Sequence, residues 1–154
     1  MADFLVYYHS FWTPGEVLHR HLPLLTYHSN SKALYNGVNP GNSLWLVVLS
    51  SAKSDEWCLR SKFVVTEKRD RPHLSKWGRF EFIGDDKRSK TFSIDAQDDF
   101  TSVLKSLKFK TNNPITFAGR KIGNALQSPR ELSDSDVARL IAYSNKFEPI
   151  RYST

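Results

Sequence analysis

Apolar residues occur in short runs along the chain, and these runs predict strands separated by turns. The apolar run at residues 4–8 and the continuous run at 44–49 predict strands, the second of them buried on both faces of a sheet. In residues 57–66 apolar and polar positions alternate, which predicts a strand with one buried face. That buried face is expected to comprise Trp57, Leu59, Phe63 and Val65. Residues 79–83 and 91–94 predict a hairpin.

Proline, glycine and capping residues mark turns and helix starts. Asn39-Pro40-Gly41-Asn42 has proline and glycine where a type II turn requires them, and a short helical stretch is predicted before it, near residues 33–35. Thr13-Pro14-Gly15-Glu16 combines an N-cap threonine, a proline at the first helical position and a glutamate, which predicts a helix that ends before Pro23.

The second half of the chain predicts further helices. Asp95 is expected to cap a helix whose apolar residues, within 100–107, follow the i, i+3, i+4, i+7 spacing. Residues 128–131 and 133–136 are both expected to begin helical turns, the second of them leading into the last helix. The chain is therefore predicted to be a single α+β domain, 1–154, of about six strands and four helices, with a mostly antiparallel, barrel-like sheet.

Composition limits the classes of protein to consider. The chain has 154 residues, of which 40% are hydrophobic and 25% charged, which is typical of a globular domain. It contains no apolar run of about 18 residues and no secretory signal pattern, so no membrane association is expected. The single cysteine, Cys58, excludes an internal disulfide and favours a reducing, intracellular location, cytoplasmic or nuclear.

Positive charge is concentrated in two segments. Residues 100–130 contain six basic residues and no acidic one, and residues 60–90 contain ten basic and five acidic residues. Together with the net charge of +6, this distribution favours a polyanionic partner such as the phosphates of a nucleic acid. The alternative is that these segments are solvated faces without a partner.

Motifs for catalysis, metals and cofactors are absent from the sequence. There is no nucleophile elbow and no phosphate-binding glycine loop, and no metal site or cofactor is expected. Asp85-Asp86-Lys87 resembles part of a nuclease motif, but it lies in a predicted tight turn, where aspartate is common. The chain is therefore expected to be a binding protein rather than an enzyme.

Aromatic residues and histidines in predicted loops suggest a base-binding pocket. Trp12, Tyr27 and Trp77 lie in loops or at strand ends, with His9 and His28 as neighbours. Rings in such positions can stack on a nucleobase, at roughly 1–3 kcal/mol for each stack, while nearby cations hold the phosphates. The alternative for Trp77 is that its ring closes one end of the barrel.

Several segments, taken in order, resemble a known superfamily. They are Leu5-Val6-Tyr7-Tyr8-His9-Ser10, Tyr27-His28-Ser29-Asn30, Asn39-Pro40-Gly41-Asn42-Ser43-Leu44-Trp45-Leu46, Ser75-Lys76-Trp77-Gly78-Arg79-Phe80-Glu81-Phe82, and the stretch from Leu107 to Arg120. In this order they resemble the PUA-like superfamily, in particular its YTH and EVE branches. The resemblance implies recognition of a methylated base, methyladenine or methylcytosine, in an aromatic cage on DNA or RNA.

The resemblance also implies residue roles. Trp77 would form one cage wall and Tyr27 or His28 the other, with Asn30 and the backbone at His9-Ser10 on the base edge. The predicted base pocket comprises Trp77, Tyr27, His28, Asn30, His9, Ser10, Leu74 and Trp12. The predicted phosphate-binding residues are Lys76, Arg79, Arg69, Arg71, Arg120 and Lys121. The chain departs from the YTH pattern because Tyr27-His28 stands where that family has a tryptophan, and Leu74 lies near the place of a second.

Three functions are carried forward from the sequence. The first is a reader of a modified base, such as the specificity module of a modification-dependent restriction system. The second is a PUA-like RNA-binding module without methyl preference. The third is a small nuclease or toxin-like enzyme that uses His28, His73 or Asp85.

Overall fold

A computed structural model of the protein describes residues 2–7, 26–49, 56–72, 78–93, 97, 99–115 and 128–149. These residues form seven strands and three helices. The strands are β1 (Phe4–Tyr7), β2 (Thr26–Ser29), β3 (Ser43–Leu49), β4 (Trp57–Asp70), β5 (Phe80–Gly84), β6 (Lys90–Thr91) and β7 (Arg130–Glu131). The helices are α1 (Lys32–Gly37), α2 (Phe100–Ser106) and α3 (Asp134–Ser144). The helix predicted after Thr13 lies outside the described residues, as does Asp95. The prediction that Asp95 caps the helix over 100–107 is wrong, because α2 begins at Phe100 and its N-cap residue is Asp99.

All seven strands belong to one sheet of order β2-β5-β4-β3-β1-β7, with β6 also paired to β4. Every pair is antiparallel except β1 with β3, which is parallel. The predicted α+β class and mostly antiparallel sheet are therefore confirmed. The expected barrel is not: within the described ranges the path is open, because β2 and β7 do not pair with each other. A barrel closes only when its two end strands pair.

Strand β4 is the longest strand and changes face along its length. Its register with β3 shifts beside Arg60, which is left as an extra residue, so the chain bulges there. Trp57 and Leu59, before the bulge, point into one core cluster, whereas Phe63 and Val65, after it, point into the other. The prediction that these four side chains share one face is therefore wrong, because a bulge reverses the alternation.

The predicted hairpin is also wrong. Strands β5 and β6 are consecutive, but they pair with different parts of β4: Gly84 lies opposite Val65, and Thr91 lies opposite Ser61. The turn between them is organised by Asp85, whose carboxylate accepts the backbone N–H groups of Lys87 and Arg88 at 2.9 and 3.1 Å. This confirms the predicted turn. Strand β4 is long enough to pair with β6 and β5 one after the other along its length.

Two apolar clusters cover the two faces of the sheet. Neighbouring side chains of β1 alternate between them: Phe4 and Val6 enter one cluster and Leu5 the other. The Leu5 cluster is completed by α2 and α3, through residues such as Leu104 and Leu140. The other cluster is completed by α1 and β5. The prediction that residues 44–49 form a strand buried on both faces is confirmed for Leu44, Trp45, Leu46, Val47 and Val48.

The local turn and cap signals have mixed outcomes. Asn42 donates its N–H to the Asn39 carbonyl at 2.9 Å across the predicted turn, and Gly41 has a φ of +96°. Ser133 caps α3 in a reciprocal capping box with Asp136, as predicted for this helix start. Residues 128–131 do not begin a helix: they lead into β7, which pairs with β1.

Candidate functional site

Cross-strand pairing places three polar residues in one row, two of which are predicted site residues. In the sheet, His28 of β2 lies opposite Glu81 of β5, and Glu81 lies opposite Arg69 of β4. Their neighbours along the strands include Phe82, which is fully buried, so the row points away from the core. We call this surface, formed by His28, Glu67, Arg69, Arg71 and Glu81, the outer face. The Asp70–Arg79 pair lies beyond it, on the side of Phe80, because Asp70 is opposite Phe80 in the sheet and the Arg79 guanidinium lies over the Phe80 ring.

Glu81 is the centre of the outer face. Its Oε2 lies 3.1 Å from His28 Nε2, and its Oε1 lies 3.3 Å from Arg71 Nε and 3.9 Å from Arg69 Nη1. The Glu81 side chain is only 14% exposed. A mostly covered carboxylate therefore holds an imidazole and two guanidinium groups around one point.

Arg69 on the outer face and Arg79 beyond it each make a bidentate ion pair. Arg69 binds Glu67 through Nε and Nη2 at 2.9 and 3.0 Å, and Arg79 binds Asp70 in the same way at 2.6 and 2.9 Å. These hydrogen bonds lower the pKa of Glu67 and of Asp70 below their ordinary values. Both carboxylates therefore stay ionised, and able to pair with these arginines, at lower pH than unpaired carboxylates would.

Charge on the outer face is nearly balanced. Its two arginines are matched by the carboxylates Glu67 and Glu81. Compared with Arg69 and Arg79, Arg71 has the loosest tie, a single Nε contact with a carboxylate that it shares. Arg71 is therefore the arginine best able to exchange its partner for a phosphate.

Tyr27 and His28 point to opposite sides of β2. The Tyr27 ring packs against the core beside Phe82, with ring centroids 6.3 Å apart, and its hydroxyl lies 3.5 Å from the Tyr7 carbonyl oxygen. His28 lies on the outer face. Of the two residues considered for the second cage wall, His28 is therefore the one whose ring faces outward.

The end of β2 meets the chain just before β5. Asn30 accepts the backbone N–H of Arg79 through Oδ1 at 2.9 Å, so its side chain is used to join the two segments. Gly78 has a φ of +118°, and a Cβ there would come within 2.8 Å of the Ser29 backbone nitrogen. In the sequence, Trp77 directly precedes this glycine.

The structure thus brings together every described member of the predicted site except Tyr27, whose ring packs against the core. The members brought together are His28, Asn30, Arg69, Arg71 and Arg79, on or beside β2, β4 and β5. The remaining predicted members lie outside the described residues: His9, Ser10, Trp12, Leu74, Lys76, Trp77, Arg120 and Lys121. Sequence reasoning missed the carboxylates that hold the arginines. Only Glu67 gave a signal in the sequence, because it lies two residues from Arg69 in a strand segment, whereas Asp70 and Glu81 pair with arginines of other segments.

Other chemistry finds no support in the described part of the chain. No group of three histidine, cysteine, aspartate or glutamate side chains that could hold a metal ion occurs there. The same residues include no helix with the length and apolar character needed to cross a bilayer. Comparison with protein-family models, curated proteins and solved structures finds no match to this chain.

Proposed function

We propose that the protein is a nucleic-acid-binding domain whose outer face, with the adjoining segment 73–77, contacts one base and its flanking phosphates. One observation carries this proposal. Direct contacts join three segments that the sequence suggests for the site, although these segments are separated along the chain: 28–30, 69–71 and 79. Convergence of planar, cationic and hydrogen-bonding side chains at one place is what recognition of a single base requires.

The fixed geometry of the outer face favours binding over flexible charge attraction. Glu81 restrains His28 and Arg71, and Asp70 restrains Arg79, at the distances given above. Groups that are held in place lose little conformational entropy when a ligand binds. In this proposal Arg71 contacts a phosphate, and His28 lies against the base.

Recognition of a methylated base is the finer part of the proposal. A methyl group contributes only about 0.8 kcal/mol when buried, so discrimination needs two close ring walls. Trp77 and His28 are the candidate walls. We expect that methyladenine- or methylcytosine-containing oligonucleotides bind more tightly than unmodified ones, and that Trp77→Ala abolishes this preference with little change in melting temperature. A large drop in melting temperature would instead place Trp77 in the core.

Binding without methyl preference is the second candidate. It is favoured by Tyr27, whose ring packs into the core instead of standing beside His28 on the outer face. Equal affinity for methylated and unmethylated oligonucleotides, together with a steep dependence on salt, would support this candidate and exclude the cage.

Arg71→Ala tests the outer face itself. We expect the affinity for a short oligonucleotide to fall and the slope of log K against log salt to decrease by about 1, because one phosphate contact is lost. Arg139→Ala is the matched control, since Arg139 is an exposed arginine on α3, in the helical layer that covers the opposite cluster. The proposal is overturned if the unmodified protein binds no oligonucleotide at low salt, or if both substitutions have the same effect.

A further inference from the structure

Arg79 is held more rigidly than an exposed arginine usually is. Its guanidinium makes the bidentate pair with Asp70 described above. Its backbone N–H donates to Asn30 Oδ1, and its backbone carbonyl accepts the backbone N–H of Arg71 at 2.8 Å. The side chain is nevertheless 52% exposed. The backbone and the guanidinium plane are therefore both fixed, although half of the side chain faces solvent.

Aromatic rings lie beneath this guanidinium. Its central carbon lies 5.3 Å from the centroid of the Phe80 ring, and Phe80 stacks on Tyr35 with centroids 4.6 Å apart and planes inclined by 23°. Phe80 is only 5% exposed, so its ring has little surface left for a ligand. The guanidinium of Arg79 is therefore the accessible layer over a set of packed planar groups.

The ion pair makes Arg79 a poor phosphate ligand. Two of its three guanidinium nitrogens already donate to Asp70, and the same hydrogen bond lowers the pKa of Asp70, so the carboxylate stays charged beside it. A phosphate that approached this edge would meet that negative charge. The flat face of the guanidinium is not used by the pair, and such faces stack on nucleobases.

We propose that Arg79 is a stacking platform for an unpaired nucleobase and not a phosphate contact. This inference rests on the proposed function, and it assigns the ligand as a single-stranded nucleic acid with one base laid over the Arg79 plane. Base stacking of this kind depends little on salt, whereas a phosphate contact depends on it strongly.

Two substitutions at Arg79 separate charge from planarity. Arg79→Lys keeps the charge and loses the plane, and Arg79→Tyr keeps a plane and loses the charge. With a labelled single-stranded ten-nucleotide probe of mixed sequence, we expect Arg79→Lys to bind roughly 5- to 150-fold more weakly with an unchanged salt slope. Arg79→Tyr is expected to bind more tightly than Arg79→Lys.

A series of probes with one abasic sugar at each position completes the test. One abasic position is expected to weaken binding of the unmodified protein and to have no further effect on Arg79→Lys, since both changes remove the same contact. The inference is overturned if Arg79→Lys binds as tightly as the protein without the substitution. It is also overturned if Arg79→Lys binds better than Arg79→Tyr and the effects of Arg79→Lys and of each abasic position on the binding free energy simply add. In those cases the proposed function stands. If the unmodified protein binds no probe, both fail.

Discussion

At the scale of single residues, Asp136 is a buried side chain that binds the backbone of two separate segments. It is 1% exposed, and its carboxylate accepts the backbone N–H groups of Lys108, Phe109 and Ser133 at 3.0, 2.7 and 3.1 Å. Phe109 has a left-handed φ of 61°, a conformation that is costly for a bulky residue. The hydrogen bonds that the Asp136 carboxylate accepts offset this cost and tie the chain after α2 to the start of α3.

Asp136→Asn should therefore destabilise the protein by about 2–3 kcal/mol in urea unfolding. The amide replaces one acceptor oxygen with a donor, which leaves buried N–H groups without a partner. Asp134→Asn is the matched control, because Asp134 lies in the same first turn of α3 but is exposed. Asp134→Asn should lower the free energy of unfolding by less than about 1 kcal/mol, which is the size of a charge effect at a helix start. Equal losses for the two substitutions would contradict this account of Asp136.

Residue-level reasoning from sequence predicted part of the outer face. The basic and aromatic character of the segments containing His28, Arg69 and Arg79 was sufficient to select them. The ion pairs could not be predicted, because they depend on the register that places Glu81 between β2 and β4. The proposal that Arg79 is a stacking platform and not a phosphate contact depends on its pair with Asp70, which the sequence does not show.

At the scale of elements, signals that lie within a few residues predicted well. The capping box at Ser133 and the turn at Pro40-Gly41 need only local hydrogen bonds, and both are present. Features set by distant partners were predicted wrongly. The short β7 forms because β1 offers it an edge, and the bulge at Arg60 exists because β4 serves both core clusters.

Gly78→Ala tests how β2 is held beside β5. The substitution adds a Cβ within 2.8 Å of the Ser29 backbone, and it also imposes a side chain on a φ of +118°. We expect a loss of more than about 2 kcal/mol in stability, faster hydrogen exchange in β2 and weaker oligonucleotide binding.

Gly41→Ala is the control for this substitution. Gly41 also has a positive φ, +96°, but a Cβ there meets nothing within 4 Å. Only the backbone strain of about 1–2 kcal/mol should be measured, without an effect on binding. If Gly78→Ala were no more harmful than Gly41→Ala, close packing of Gly78 on Ser29 would not be what holds the end of β2.

At the scale of the whole molecule, the outer face and the layer of α2 and α3 lie at different places along the sheet. The helices α2 and α3 cover one apolar cluster, while the outer face lies at the far end of the strand order, on β2, β5 and β4. The net charge of +6 predicts a polyanionic partner for the molecule but does not indicate where that partner binds. Because the charges of the outer face are balanced, its planar and hydrogen-bonding groups would determine which ligand binds more than its net charge would.

The central claim is that nucleic acid binds at this end of the sheet, and mapping backbone amide NMR shifts during titration with a single-stranded oligonucleotide tests it most directly. We predict saturable shifts concentrated in residues 26–30, 67–71 and 78–82, with α3 unchanged. Shifts concentrated in α2 and α3, or no shifts at a saturating oligonucleotide concentration, would contradict the claim.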